Sequence, residues 1–219
     1  MSLQKIINIA ETIGINRRRT VGVQTTRNSI VRTSETPTRV PWRFQVKVGK
    51  LMRYEQARAI LEEIDRLDRN VPEVITMSNN SNLSWMFAYQ GDMSNSTINN
   101  IRVDSFSGNQ LVLKTISGIN VGQAMFKAGD FIQVGSYPYP FTVVSDVLRT
   151  SASTETVTVH RGNFISDSVV NQTITVGNAV TFKMLCMNMP TYTLTPGGST
   201  ALVQWDSDFQ LYEYTGDQV

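Results

Sequence analysis

The side chains best suited to chemistry are a single histidine and a set of aspartates. His160 precedes Arg161 at the end of a predicted strand, and such a pair could act as an acid and a base. No serine or cysteine lies in a recognisable nucleophile motif, so the pair has no nucleophile to activate. Because the chain has one histidine, it cannot form a metal site or an acid–base system that requires two histidines. We interpret His160 as a structural or interface residue.

The remaining candidates for catalysis are carboxylates and one thiol. Asp130, Asp146, Asp206 and Asp208 could pair for hydrolysis, but Asp130 follows Gly129 in a predicted turn, and Asp206 and Asp208 flank Ser207 in another. Cys186 lies in an apolar run and is interpreted as a buried core residue. Neither glycine-rich phosphate-binding motif is present. We therefore predict no enzymatic activity, no cofactor and no metal.

The charge of the chain is unevenly distributed. Residues 1–40 hold seven basic and two acidic residues, net +5, which leaves residues 41–219 with 13 basic and 16 acidic residues, net −3. A basic segment of this kind binds nucleic acid or an acidic protein surface. The triplet at 17–19 is either a solvated turn or part of an arm that pairs with acidic patches on a neighbouring subunit. The candidate interface residues are Arg17, Arg18, Arg19, Arg27, Arg32 and Arg39.

The elements that carry these residues divide into an arm and a body. Apolar residues at helical spacing predict a short helix over 3–13, ended by Gly14. Residues 16–40 lack apolar periodicity and predict an extended arm that becomes ordered on a partner. We therefore predict two parts, a basic N-terminal arm over 1–40 and a β-rich body over 41–219.

The body is predicted to be mostly β, in the α+β class. Residues 42–48 alternate apolar and polar side chains, as a half-buried strand does. An amphipathic helix is predicted over 53–67, where one stripe is apolar. Residues 121–162 predict three short strands, at 131–134, 141–148 and 154–160, joined in a meander. With further strands near the C-terminus, the pattern favours a β-barrel or sandwich with one flanking amphipathic helix and an extended N-terminal arm.

An alternative function uses the aromatic residues of the predicted strands. Together with the basic arm they could form the stacking face of an OB-like module that binds single-stranded nucleic acid. Alternating positions in strands are more often packed in a core, and the net negative body opposes binding to phosphates. The aromatic residues concerned are Trp42, Phe44, Phe131, Tyr137, Tyr139, Phe141 and Trp205.

Several short motifs follow one another along the chain in a distinctive order. A basic arm precedes PWRF at 41–44, and a helix with Tyr54, Glu55, Ala57 and Arg58 follows. AGDFIQ at 128–133, TVHR at 158–161 and a last strand with Phe209, Leu211 and Glu213 complete the series. In this order the chain resembles structural proteins at the distal end of tailed-bacteriophage tails, the tube-initiator and hub-adaptor proteins of the baseplate.

The resemblance implies a tail-tube-like β-barrel or sandwich whose subunits form a ring, commonly sixfold, around the DNA channel. It implies assembly through the arm and the sheet edges, with other tail and baseplate proteins as partners and DNA only as cargo in transit. The expected location is the virion tail, assembled in the host cytoplasm. No apolar run approaches the length that crosses a bilayer, so no membrane partner is expected.

Overall fold

Strands dominate the structure, a computed structural model that describes residues 2–17, 21–25, 31–35, 40–49, 52–66, 71–165, 167–197 and 200–216. The mostly-β α+β class predicted from the sequence is confirmed. The strands are β1 (Ala10–Asn16), β2 (Val21–Thr25), β3 (Val31–Glu35), β4 (Arg43–Val48), β5 (Met52–Arg53), β6 (Glu73–Thr76), β7 (Arg102–Ser107), β8 (Gln110–Lys114), β9 (Ala124–Phe126), β10 (Phe131–Val134), β11 (Phe141–Thr142), β12 (Val147–Leu148), β13 (Glu155–Thr158), β14 (Ile174–Val176), β15 (Thr181–Asn188), β16 (Tyr192–Gly197), β17 (Thr200–Trp205) and β18 (Phe209–Glu213). The described helices are α1 (Ser2–Asn8), α2 (Tyr54–Asp65) and α3 (Asn95–Asn100), with 3-10 turns at Ser84–Phe87 and Gly177–Ala179.

The largest sheet has five antiparallel strands in the order β1-β4-β18-β15-β6. Strand β4 shows why it forms, because Phe44, Val46 and Val48 are buried while the alternate residues are exposed. The alternation predicted for residues 42–48 is therefore confirmed. One face of this sheet covers a hydrophobic core, and the other carries the polar residues.

The N-terminus packs into that core instead of standing apart from it. Leu3, Ile6 and Ile7 of α1 are almost fully buried against the inner face of the sheet. The predicted helix over 3–13 is correct only in its first half, since α1 ends at Asn8 and the chain continues as β1, paired with β4. Pairing with β4 overrides the helical spacing. The predicted boundary at residue 40 therefore placed part of the body in the arm.

A second core lies within the long insertion between the neighbouring strands β6 and β15. It contains the three-stranded sheets β7-β8-β13 and β11-β10-β14 and the pair β9-β12. The predicted meander over 121–162 is correct in part, because β10 pairs with β11 and Val143 forms an antiparallel bridge with Val159. It is incomplete, since β10 also pairs with β14, and β13 pairs along its length with β8, both from outside that stretch.

Helix α2 flanks a third, smaller sheet. Ala57 and Leu61 pack on Val203 of the β16-β17-β5 sheet, and all three side chains are buried. The flanking amphipathic helix predicted over 53–67 is confirmed over Tyr54–Asp65. Residues 67–70 lie outside the described residues.

Candidate functional site

A buried ion pair joins the two larger cores. Arg161, just after β13, forms a bidentate salt bridge with Glu213 of β18. The two side chains are 1% and 0% exposed. The guanidinium also donates to the backbone oxygens of Val40 (3.1 Å) and Pro140 (3.0 Å). Trp42 N–H donates to the Glu213 carboxylate (3.0 Å). Because both charges are paired and hydrogen-bonded, the group is a structural clamp between the insertion and the main sheet.

Aromatic rings complete this clamp. The Arg161 guanidinium lies 4.4 Å from the ring centre of Phe164 and 5.2 Å from that of Phe141. The Trp42 indole N–H donates to Pro140 O (2.9 Å). Cation–π contact and hydrogen bonding hold the side chains in one arrangement.

His160 lies at the edge of the clamp and is held as a neutral ring. Its Nδ1 accepts a hydrogen bond from Thr142 N–H (2.9 Å). Burial, together with the positive charges of Arg161 and Arg17, lowers the pKa of His160 to about 3. An imidazole with this pKa stays uncharged near neutral pH and cannot act there as a general acid or base. The structural interpretation of His160 agrees with these contacts.

The candidate aspartates serve local backbone geometry. Asp130 accepts from the N–H groups of Gln90 (2.9 Å) and Lys127 (2.8 Å), and burial raises its pKa. Asp146 accepts from Ala128 N–H (2.8 Å). The bond from Lys127 closes the turn that the sequence predicts at Asp130, whereas the bonds from Gln90 and Ala128 join segments that are distant in the chain. Within the described ranges, no cluster of three or more His, Cys, Asp or Glu side chains could hold a metal ion.

Asp206 and Asp208 likewise have local partners. Asp206 accepts from the hydroxyls of Thr191 (2.6 Å) and Thr193 (3.0 Å) across the β16–β17 end. Asp208 accepts from the Gln45 side-chain amide (2.8 Å). Asp206 and Asp208 therefore stabilise the connections between strands, and their observed contacts are structural.

The structure describes two of the candidate interface arginines. Arg17 follows β1, donates to the Thr142 hydroxyl and lies 5.8 Å from the Trp42 ring centre. Arg32 lies in β3, where the backbone alone is described. The other candidates, Arg18, Arg19, Arg27 and Arg39, lie outside the described residues.

Strands β2 and β3 pair as a β-hairpin, which we call the basic hairpin because its strands lie within the arginine-rich residues 18–39. Its strands pair with each other from Val21↔Glu35 to Thr25↔Val31. In the described part of the chain, neither strand joins another sheet. The basic hairpin is inserted between β1 and β4, whose last pair is Asn16↔Arg43. The chain therefore leaves the β1–β4 pair for the basic hairpin, and returns to it, at the Asn16–Arg43 end of that pair.

The two edges of the five-stranded sheet differ. At β6 the side-chain amide of Gln4 donates to Thr76 O (2.9 Å) and accepts from Thr76 N–H (2.8 Å), so α1 covers that edge. Strand β1 forms the opposite edge, and the described residues place no further strand beside it. An uncovered edge can pair with another strand.

The face of this sheet that points away from the core, which we call the outer face, carries mostly polar side chains, with exposed Val74 of β6 among them. Its cations are Arg43 and Lys47 of β4 and Lys183 of β15. The Arg43 guanidinium lies 5.4 Å from the ring centre of Tyr212, and the Lys183 ammonium 5.3 Å from that of Tyr214. A groove of about 490 Å³ crosses this face between β1 and β18.

The aromatic residues expected to stack on nucleic acid are mostly core residues. Trp42, Phe44, Phe131, Tyr139 and Phe141 are buried. The prediction that these five rings form a stacking face for nucleic acid is therefore wrong. The half-buried rings of Tyr212 and Tyr214 on the outer face were missed, although the polar alternation of RFQVKV at 43–48 marks two cations of that face, Arg43 and Lys47.

Comparisons with known proteins identify no relative. No protein-family model matches the chain, and no curated protein matches it. None of the described helices is long and apolar enough to span a membrane.

Proposed function

We propose that the chain is a structural subunit of a phage tail tube or baseplate hub, and that copies of it form a ring around the DNA channel. Neighbouring subunits join through the basic hairpin and the open edge of the main sheet. Other tail and baseplate proteins bind above and below the ring, and the assembled protein resides in the virion tail. The sequence motifs that resemble distal tail proteins support this assignment.

The observation that carries the proposal is the basic hairpin. A two-stranded hairpin is at best marginally stable alone in water, because each strand satisfies one edge only. Its two strands are five residues each, about 17 Å long. Such a segment gains stability when a third strand or a neighbouring surface covers it.

The edges of the main sheet support the same assembly. Gln4 covers the β6 edge, so pairing between subunits is directed to β1, beside the root of the basic hairpin. In the proposed ring, the basic hairpin of one subunit pairs with β1 of the next. This interface is heterologous, since different surfaces of two copies meet, and it closes into a ring when the rotation between subunits closes. The arginines of residues 17–39 add attraction to a body of net charge −3.

The clamp holds in place the residues that flank the basic hairpin on either side. Val40, just before β4, accepts from Arg161, and Arg17 at the end of β1 contacts Thr142. Both flanks of the insertion are thereby attached to the second core. A fixed root lowers the entropy lost when the basic hairpin orders on a neighbour.

The proposal is tested by light scattering on the purified protein across a concentration series. Because α1 and β1 belong to the core, deletion of residues 1–40 would remove part of the body. The sharper variant replaces residues 18–39 by Gly-Asn-Gly-Ser, which reconnects the paired strands β1 and β4. We expect a closed oligomer from the full chain and a folded monomer from the variant.

The matched control keeps residues 18–39 but changes their five arginines to glutamine, which separates strand pairing from charge. These are Arg18, Arg19, Arg27, Arg32 and Arg39. We expect weaker assembly that no longer depends on salt. A full chain that stays monomeric at every concentration refutes the proposal. So does a variant without the basic hairpin that assembles as the full chain does.

A further inference from the structure

The open edge of the main sheet can accept a strand along only part of β1. A bulge interrupts the register between Ala10 and Thr12, and the residue inside it, Glu11, is exposed. The Glu11 carboxylate lies over Gly49, just after β4, since a Cβ added to that glycine would be 2.7 Å from Oε1. Bulges and charged side chains keep further strands away from an edge. A new strand can therefore pair with β1 only from Thr12 to Asn16.

The core side of this part of the edge is apolar and incompletely covered. Ile13 pairs with Val46 and Ile15 with Phe44, and both partners are buried, so the two isoleucines belong to the core face. Ile13 is half-buried, and Ile15 is 36% exposed. Gly14 lies between them on the outer face. The edge therefore offers two apolar positions to an added strand whose own apolar residues alternate.

Strand β2 carries the complementary pattern. Its sequence, VGVQT, has valines at alternate positions, Val21 and Val23, and no charged residue. Alternate residues of a strand fall on one face, so both valine positions can lie beside the isoleucines while Gly22 takes the other face. Strand β3, VRTSE, has a charged residue on each face, Arg32 and Glu35. A charged strand suits an exposed edge, and an uncharged strand suits pairing.

The charges favour a second copy of the chain as the source of the added strand. Residues 18–39 hold five arginines and one glutamate, net +4, so the rest of the chain carries −2 within the total of +2. The basic hairpin of one copy is therefore attracted to the remainder of another. Within one copy, the described residues pair β2 with β3 alone and leave β1 with β4 as its one partner. The segments Val21–Thr25 and Thr12–Asn16 also match in length, at five residues each.

We propose that β2 of a second copy pairs with β1, antiparallel, with Val21 opposite Ile15 and Val23 opposite Ile13. This inference rests on the proposed ring and specifies its strand, direction and register. Every strand pairing among the described residues is antiparallel, which sets the direction. A slip of one residue would move both valines to the outer face, so the apolar pattern fixes the register. Strand β3 then becomes the last strand of the extended sheet, and its charges prevent another strand from adding.

Disulfide trapping in the full chain tests this register. In the proposed pairing Gly14 lies opposite Gly22 of the neighbour, about 4.5–5.5 Å away at Cα, which is within disulfide range. Position 14 can accept a side chain, because the nearest atom to an added Cβ is Gln45 Cβ at 3.6 Å. We expect Gly14→Cys/Gly22→Cys, treated with oxidised glutathione, to form disulfides between chains, seen as a ladder of multimers on a non-reducing gel.

The matched control moves the second thiol to the other strand of the basic hairpin. Ser34 pairs with Gly22, so in the extended sheet it lies two strands from Gly14, about 10 Å away and outside disulfide range. Gly14→Cys/Ser34→Cys should therefore give no ladder, and buried Cys186 is common to both variants. Equal or stronger cross-linking through position 34 would overturn the inference. A Gly14→Cys/Gly22→Cys disulfide within one chain would also overturn it, because the hairpin would then pair with its own subunit.

Two lysine substitutions test which face of β2 meets the core side. Val23→Lys places a charge beside Ile13 of the neighbour, whereas Gln24→Lys places the same charge on the outer face. We expect Val23→Lys to weaken association by about 10- to 100-fold, as for the loss of one buried valine, and Gln24→Lys to weaken it much less. Light scattering on a dilution series measures the change. Equal weakening by the two variants would contradict the assigned face.

Light scattering on the cysteine variants separates this inference from the proposed ring. A ring that forms without the disulfide between positions 14 and 22 refutes the β1–β2 pairing and leaves the ring in place. An open dimer linked through these positions supports the pairing and refutes the closed ring. A chain that stays monomeric and forms no disulfide between copies refutes both.

Discussion

Replacement of Arg161 by methionine tests the clamp most directly. The variant leaves the Glu213 carboxylate buried, with Trp42 N–H as its remaining donor among the contacts described. Removal of one partner from a buried pair costs about 3–5 kcal/mol in the free energy of unfolding. For a chain of this size, that loss lowers Tm by about 6–20 °C.

A double variant shows whether the cost comes from the unpaired charge. Arg161→Met/Glu213→Leu leaves no buried charge, so it should be more stable than Arg161→Met alone. It should remain below the unchanged protein, because Trp42 N–H and Val40 C=O lose partners at about 1–3 kcal/mol each.

The matched control is the exposed pair Lys114–Asp104, whose side chains are 29% and 43% exposed. Lys114→Met should change stability by less than about 1 kcal/mol. The assay is urea unfolding followed by circular dichroism and tryptophan fluorescence, whose transitions must coincide for a two-state treatment. If Arg161→Met costs no more than the control, the clamp does not join the two cores as argued.

Two further predictions concern protonation and backbone conformation. The pKa of His160 falls from 6.5 to about 3 on folding, so the unfolded chain binds this proton first and stability decreases as pH falls below 6.5. Between pH 7 and pH 5 urea unfolding should show a loss of about 2 kcal/mol that His160→Asn lacks, and an unchanged loss in that variant would contradict the assignment. Gly177 has φ +70°, and an added Cβ would lie 2.9 Å from Tyr89 N, whereas Gly108 has φ +56° and open space. Gly177→Ala should therefore lower the thermal midpoint clearly more than Gly108→Ala. The second variant carries only the cost of a left-handed backbone conformation, about 1–2 kcal/mol. Equal midpoints of the two variants would count against a steric role for Gly177.

Local patterns were sufficient wherever one face of an element is buried. The apolar stripe of α2 and the alternation of β4 both predicted the element and its buried side. Strand β10 was predicted with its observed bounds, Phe131–Val134. In α2 and β4 the side-chain period itself indicates which positions are buried, without knowledge of the partner element, whereas β10 is buried at all four positions and was predicted as a short apolar run.

The same patterns failed where a partner strand decides the conformation. Residues 10–13 have helical spacing, yet β4 holds them as a strand with their apolar side toward the core. The helix α3 and the short strand β9 were not predicted at all, since elements this short carry few periodic positions. Tertiary pairing supplies the stability that their local sequence lacks.

The sequence by itself determined the mostly-β class, the flanking helix and the basic character of residues 1–40. Only the tertiary structure decided that Arg161 meets Glu213, that the basic hairpin starts from the β1–β4 pair, and that Arg43 and Lys183 share one surface. The physical reason is that a side-chain period fixes which way a residue points along its own element. Which element lies beside it depends on loop closure and on the packing of the whole chain.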